Sequence, residues 1–119
     1  MENYKTDNEL KVLISSLREY SRVKDAPIWK AVALELERPT RQRRSVNISR
    51  INRYANDGDT VIVPGKVLGS GILDKKITIA AYNFSNGARK IVEDRKGKCV
   101  SINDLVKQNP SGKNVRVIG

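Results

Sequence analysis

Apolar positions divide this chain into a helical first third and a remainder of short apolar runs. Leu10, Leu13, Ile14, Leu17 and Tyr20 recur at the spacing of one helix face. Thr6-Asp7-Asn8-Glu9, just before them, has the form of a capping box, with Thr6 capping and Glu9 reaching back. Together they predict a helix over residues 7–23. Asp25 and Pro27 mark a second start, since proline suits a helix's first turn. Ile28, Trp29, Val32, Ala33 and Leu36 form its apolar face, and Pro39 lies just past its end. Trp29 belongs to that face and is therefore expected in the core rather than as a platform for stacked bases.

After Arg38 the pattern shortens. Arg38 to Ser45 reads as extended or irregular, and Val46 to Ile48 as a short strand. Ser49 is placed to cap a helix over residues 50–55, with Asp57-Gly58 as stop and turn. Thr60-Val61-Ile62-Val63 is a β-branched run typical of a buried strand, ended by Pro64-Gly65. A glycine-rich loop follows, Gly65-Lys66-Val67-Leu68-Gly69-Ser70-Gly71. Ile77 to Tyr82 predicts a third strand, with Ile77, Ile79 and Ala81 on one face. Ser85 caps a helix over 86–94, and Lys98 to Val100 forms another strand. Ser101 and Asp104 flank a helix start that runs to Gln108, stopped by Pro110 and Gly112, and Val115 to Ile118 closes the chain as a strand. The fold class is α/β: a helical region over residues 1–37 and a mixed core over 38–119, within one compact domain. The 119 residues suit a single core and leave little room for a deep ligand pocket.

Charge changes the picture. The formal net charge is +10, and all of the excess falls after Glu37: residues 1–37 carry six basic and seven acidic side chains, residues 38–119 seventeen and six. A charge serving solubility alone has no reason to be partitioned in this way, whereas a surface facing one partner does. The densest part is Arg38 to Arg53, with Arg38, Arg41, Arg43, Arg44, Arg50 and Arg53 and no acidic residue. Guanidinium groups packed this closely repel unless an anion lies against them, and their planar forks match phosphate. Asn47, Ser49 and Asn52 interleave with them and suit phosphate, sugar or base-edge hydrogen bonds. The run lies between apolar elements, unlike a solvated tail. A nucleic-acid backbone is the partner it fits.

Other chemistries find little support. There is no histidine, which removes histidine triads and histidine metal sites, and one cysteine cannot build a finger-type zinc site. Cys99 sits beside Val100 and reads as a small packed residue; a single cysteine forms no internal disulfide and fits a reducing compartment. Asp57 and Asp59 are explained by a turn, and Glu93-Asp94 by pairing with Arg95 and Lys96. Gly65-Lys66 is followed by Val67, and position 60 is Thr60, so no Walker loop is present; Asp74 stands where a dinucleotide fingerprint needs glycine. The glycine loop is left with two compatible roles, a tight turn or a backbone that approaches a phosphate. No run approaches the length of a membrane helix, and the polar Met1-Glu2-Asn3-Tyr4 start lacks a signal-peptide core, which leads to the expectation of a cytosolic protein. The aromatic pairs of an RRM sheet and the Gly-x-x-Gly clamp of a KH domain are missing, and the arginines follow both helices, the wrong place for a recognition helix. Dispersed basic residues on a small fold favour shaped RNA. A DNA-binding regulator or chromatin protein, and a small enzyme acting on RNA, remain as rivals.

Val46-Asn47-Ile48-Ser49-Arg50-Ile51-Asn52-Arg53-Tyr54, followed by Asp57-Gly58-Asp59-Thr60-Val61-Ile62-Val63-Pro64-Gly65-Lys66-Val67-Leu68-Gly69-Ser70-Gly71, resembles the archaeal and eukaryotic large-subunit ribosomal protein eighteen-e family. That family is related to the C-terminal part of bacterial large-subunit protein fifteen. Ala81-Tyr82-Asn83-Phe84-Ser85 and Ala88-Arg89-Lys90-Ile91 fit it as well, so the likeness covers nearly the whole chain. The resemblance implies an irregular superhelix of short β-β-α units behind N-terminal helices, and a non-catalytic, cofactor-free protein of the cytoplasmic ribosome. Its implied partners are large-subunit ribosomal RNA and neighbouring large-subunit proteins, with no membrane and no small-molecule substrate. On this reading Arg38, Arg41, Arg43 and Arg44 clamp phosphates. Asn47, Ser49, Arg50 and Arg53 set register, and Lys66 with Gly69, Ser70 and Gly71 approaches a second RNA strand. Lys75, Lys76, Arg89 and Lys90 extend the basic face.

Overall fold

The computed structural model describes residues 7–38 and 45–118, so the expected cap at Thr6 and the arginines Arg41, Arg43 and Arg44 lie outside the described residues. Helix α1 spans Asp7–Val23 and α2 spans Pro27–Leu36, with Pro27 in the first turn where its missing N–H costs nothing. The rest alternates: β1 Ser45–Asn47, α3 Ile48–Tyr54, β2 Thr60–Leu68, β3 Thr78–Phe84, α4 Asn86–Asp94, β4 Lys98–Ser101, α5 Ile102–Gln108 and β5 Val115–Val117. The fold is α/β, as expected.

Among the described residues five strands run parallel, in the order β1-β2-β3-β4, with β5 also against β2. Since β3 occupies one flank of β2, β1 and β5 share the other: β5 pairs with Thr60–Ile62 and β1 with Lys66–Leu68. This corrects the expectation that Pro64-Gly65 ends the strand. On the β1/β5 flank, Val63-Pro64-Gly65 falls in the gap between the two short partners. Toward β3 the register slips between Val63 and Lys66, a bulge that accommodates a residue with no N–H. Proline is therefore tolerated inside a central strand.

Side-chain alternation sends β2 and β3 residues to two cores. Val61, Val63, Val67, Ile79 and Ala81 pack with α3, α4 and the buried Leu73 and Ile77. Ile62 and Ala80 pack with α1, α2 and α5 through Leu17, Trp29, Val32, Leu36, Ile102 and Leu105. The sheet is thus covered on both faces, as parallel sheets are, and the N-terminal helices share their core with it. Trp29 is fully buried and its indole N–H donates to the Pro110 carbonyl (2.7 Å). Cys99 packs half-buried beside α4, and burial, against a lowering by Arg89, pushes its thiol pKa up to about 11.

Caps explain where helices begin. Ser85 Oγ accepts from the Ala88 N–H and Ser101 Oγ from the Asp104 N–H, as the sequence predicts. The start of α3 differs from expectation. Asn47 rather than Ser49 occupies the cap position and makes no side-chain cap bond. Instead the Ser49 N–H donates to the Ser70 carbonyl (3.2 Å), so the glycine loop supplies an acceptor for that end.

The link from β2 to β3, residues 69–77, has no helix. It must return along a seven-residue strand, about 23 Å at the usual rise per residue. Nine residues reach about 30 Å at most when extended. The connector is consequently taut, lies between α3 and α4, and buries Leu73 and Ile77 as it goes.

Candidate nucleic-acid interface

In a parallel sheet every strand's carboxyl end lies at one edge, and the helices that follow start there. Here that edge collects Asn47 from β1, Ser49 and Arg50 from α3, Gly69-Ser70-Gly71 from the connector, and Arg89 and Lys90 from the first turns of α4. Two glycines let these parts meet. A Cβ on Gly69 would lie 2.7 Å from the Ala88 nitrogen and 2.8 Å from the Gly87 carbonyl carbon, which seats the loop on the start of α4. Gly71, at φ +101°, turns the chain where a Cβ would collide with Ser49 Cβ, which seats it on α3. The loop's first role is therefore close packing between two helix starts.

The cations divide between the sheet's faces. Arg50 lies over the Tyr54 ring (5.2 Å) and Arg89 over Phe84 (5.2 Å), both on the α3/α4 face, where Arg53 and Lys90 are also exposed. Arg53 and Lys90 have no carboxylate partner among the described residues. Lys66 neighbours Val67, whose side chain enters the α3/α4 core, so alternation sends Lys66 to the opposite face beside its register partners Ser45 and Asn83. Asn47 shares that face with Ser45. The basic surface thus straddles the carboxyl edge, and Ser45, on the Lys66 face, directly follows Arg44 in the sequence.

Arg38 stands at the end of α2, 3.5 Å from Glu35. Arg18 of α1 donates to Glu37 beside it, a contact that raises the Arg18 pKa, first through the hydrogen bond and then through charge. Both pairs are substantially exposed, so salt screens them and a polyanion can compete.

Lys75 and Lys76 are carried elsewhere. The connector brings them to the amino edge, beside the Asp57–Asp59 turn and the start of β3. Lys75 Nζ donates to the Asn52 and Ala55 carbonyls, closing the end of α3. The Lys76 N–H donates to Asp57 Oδ1 (2.6 Å). Sequence reasoning passed over Ile72, which projects between Gly71 and Leu73 and is the most exposed large apolar side chain among the described residues. A lone isoleucine after a glycine run gives no signal of its own; exposure is visible only in three dimensions. Among the described residues no His/Cys/Asp/Glu group is arranged to hold a metal ion, and no helix is long and apolar enough to cross a membrane.

Residues 1–119 match the family described as ribosomal protein 60S L18 and 50S L18e. The chain is similar to the large ribosomal subunit protein eL18 of Methanoregula boonei, 50% identical over 114 residues that cover 96% of this chain and 94% of that one. The eL18 of Methanothermobacter thermautotrophicus is 48% identical over the same shares, and that of Methanospirillum hungatei 43% over 98% and 96%. With a match along its full length and relatives at this identity, the chain belongs to the L18/L18e family of ribosomal proteins.

Proposed function

We propose that this protein is a structural constituent of the large ribosomal subunit that holds ribosomal RNA across the carboxyl edge of its sheet. The observation that carries this reading is the full-length match to relatives named as large ribosomal subunit proteins. The mechanism is electrostatic and positional. Arg41, Arg43 and Arg44, with Arg38 once RNA displaces Glu35, neutralise phosphates. Arg50, Arg53, Arg89 and Lys90 do so along α3 and α4. Asn47 and Ser49 set register, and Lys66 reaches a second strand on the other face. Gly69, Ser70 and Gly71 hold the two helix starts in fixed relation, so the cations on them stay in step. Lys75 and Lys76 we place outside this interface. The protein works in the cytoplasm within the ribosome, beside neighbouring large-subunit proteins, with no catalysis, cofactor or small-molecule substrate. The β2–β3–α4 succession we take as the β-β-α unit of an irregular superhelix.

Binding should fall steeply with salt. If about six of these cations each neutralise a phosphate at once, the log–log slope against a large-subunit ribosomal RNA fragment is expected to be roughly −4 to −5. Replacing Arg41, Arg43 and Arg44 together by alanine should shallow that slope and leave the melting temperature unchanged. A slope near zero overturns the electrostatic reading. Preference for duplex DNA over the folded RNA points instead to a DNA-binding regulator or chromatin protein.

A further inference from the structure

We propose that Ile72 is an apolar wedge that enters an opened base stack, so that the RNA held along α3 carries a bulged or unpaired nucleotide there. This rests on the RNA-binding reading above and names the kind of RNA.

A lone exposed isoleucine is ordinary; its setting is what calls for an explanation. Ile72 is 73% exposed, while its neighbour Leu73 is 2% exposed and locked into the core. The backbone is fixed on both sides of it. The Ser70 carbonyl accepts from the Ser49 N–H, the Leu73 carbonyl from Arg95 Nε (2.9 Å), and the Asp74 N–H donates to Asn52 Oδ1 (3.2 Å). Gly71 supplies the left-handed turn that lifts the next residue out. The side chain therefore stands on an anchored backbone, and binding has only the side chain's own rotamers left to order.

The surroundings select the occupant. Ser49 faces Gly71 and Asn52 holds Asp74, so Ile72 projects alongside α3 between those two points. The exposed residues of that helix are Ser49, Arg50, Arg53 and Tyr54, two cations and an aromatic ring, which outweigh the single exposed carboxylate of the connector, Asp74. An apolar protein partner would ask for more apolar area around the isoleucine. An RNA strand asks for what is there: cations for its phosphates, and apolar and flat surfaces for its bases. Apolar side chains inserted at base steps unstack nucleic acid, and unpaired nucleotides are the least costly to part.

The test compares two RNA hairpins of equal length and charge, one continuous and one with a single-nucleotide bulge flanked by 2-aminopurine, in dilute buffer. Wild-type protein should bind the bulged hairpin at least tenfold more tightly and raise the 2-aminopurine fluorescence. Ile72→Ala, with an unchanged melting temperature, should cut that preference to within twofold while keeping its affinity for the continuous hairpin. Ile72→Met should retain both the preference and the fluorescence change. Equal wild-type affinities, a preference that survives Ile72→Ala, or equal weakening of both hairpins would each remove the wedge and leave RNA binding standing. Unchanged RNA behaviour in Ile72→Ala is also what a protein-facing isoleucine would give. Failure of the wild type to bind either hairpin would overturn the RNA-binding reading itself, and the wedge with it.

Discussion

Single residues decide how closely the parts of the candidate interface approach. Gly58 and Gly71 both have positive φ, at +88° and +101°, but only Gly71 is crowded: a Cβ at Gly58 would meet nothing within 4 Å, while one at Gly71 would strike Ser49. The two positions separate backbone strain from overlap. Gly58→Ala should cost about 1–2 kcal/mol, the strain of a left-handed conformation alone. Gly71→Ala should cost a further 1–3 kcal/mol or so, because Ser49 must move and the start of α3 with it. Urea melts of the two variants read the difference directly. Equal losses would show that the loop is not seated on α3 and that the glycine serves only the turn.

At the scale of elements, what was legible in the sequence was local. Ser85 and Ser101 announce α4 and α5 because a cap and its N–H partner lie three residues apart. The faces of α1 and α2 are readable because Leu17, Trp29, Val32 and Leu36 follow helical period. The length of β2 was not readable, since Pro64 is tolerable only where β1 and β5 leave a gap between them, and strand neighbours are non-local facts. Nor was the role of Lys75, which in sequence is one more cation in a basic half and in the fold closes α3 by donating to the Asn52 and Ala55 carbonyls. A cation at a helix's carboxyl end is favoured by its exposed carbonyls. Lys75→Met keeps the aliphatic stem and removes both bonds, and it should destabilise the protein by about 1–3 kcal/mol. The salt slope of RNA binding should stay where it was. A shallower slope at full stability would mean that the ammonium leaves α3 to meet a phosphate.

For the whole molecule, charge partition and strand direction combine. Parallel strands place the starts of α3, α4 and α5 at one edge, whereas the amino edge carries Lys76, Lys98 and Arg116, with Asp57 and Asp59 among them. Asp59 lies 4.0 Å from Arg116, so part of that edge is compensated by the protein itself. The sequence shows a basic half but no edges, because Lys75 and Gly71 are four residues apart in the chain and reach different ends of the sheet only through the taut connector. Two double variants decide which edge meets RNA. Arg89→Gln with Lys90→Gln removes two exposed charges from the first turns of α4 at the carboxyl edge; Lys76→Gln with Lys98→Gln removes two exposed charges from the other edge. Net charge falls equally, so long-range attraction weakens alike in both. Every phosphate left without its cation should shallow the log–log salt slope by about 0.7–0.9. The first pair is expected to lower its magnitude by about 1.5 and the second to leave it unchanged, measured by equilibrium binding from dilute to moderate salt. Equal changes would reduce the interface to a diffuse field around the fold, and the reverse order would move it to the amino edge, where Lys76 would regain its place among the residues that meet RNA.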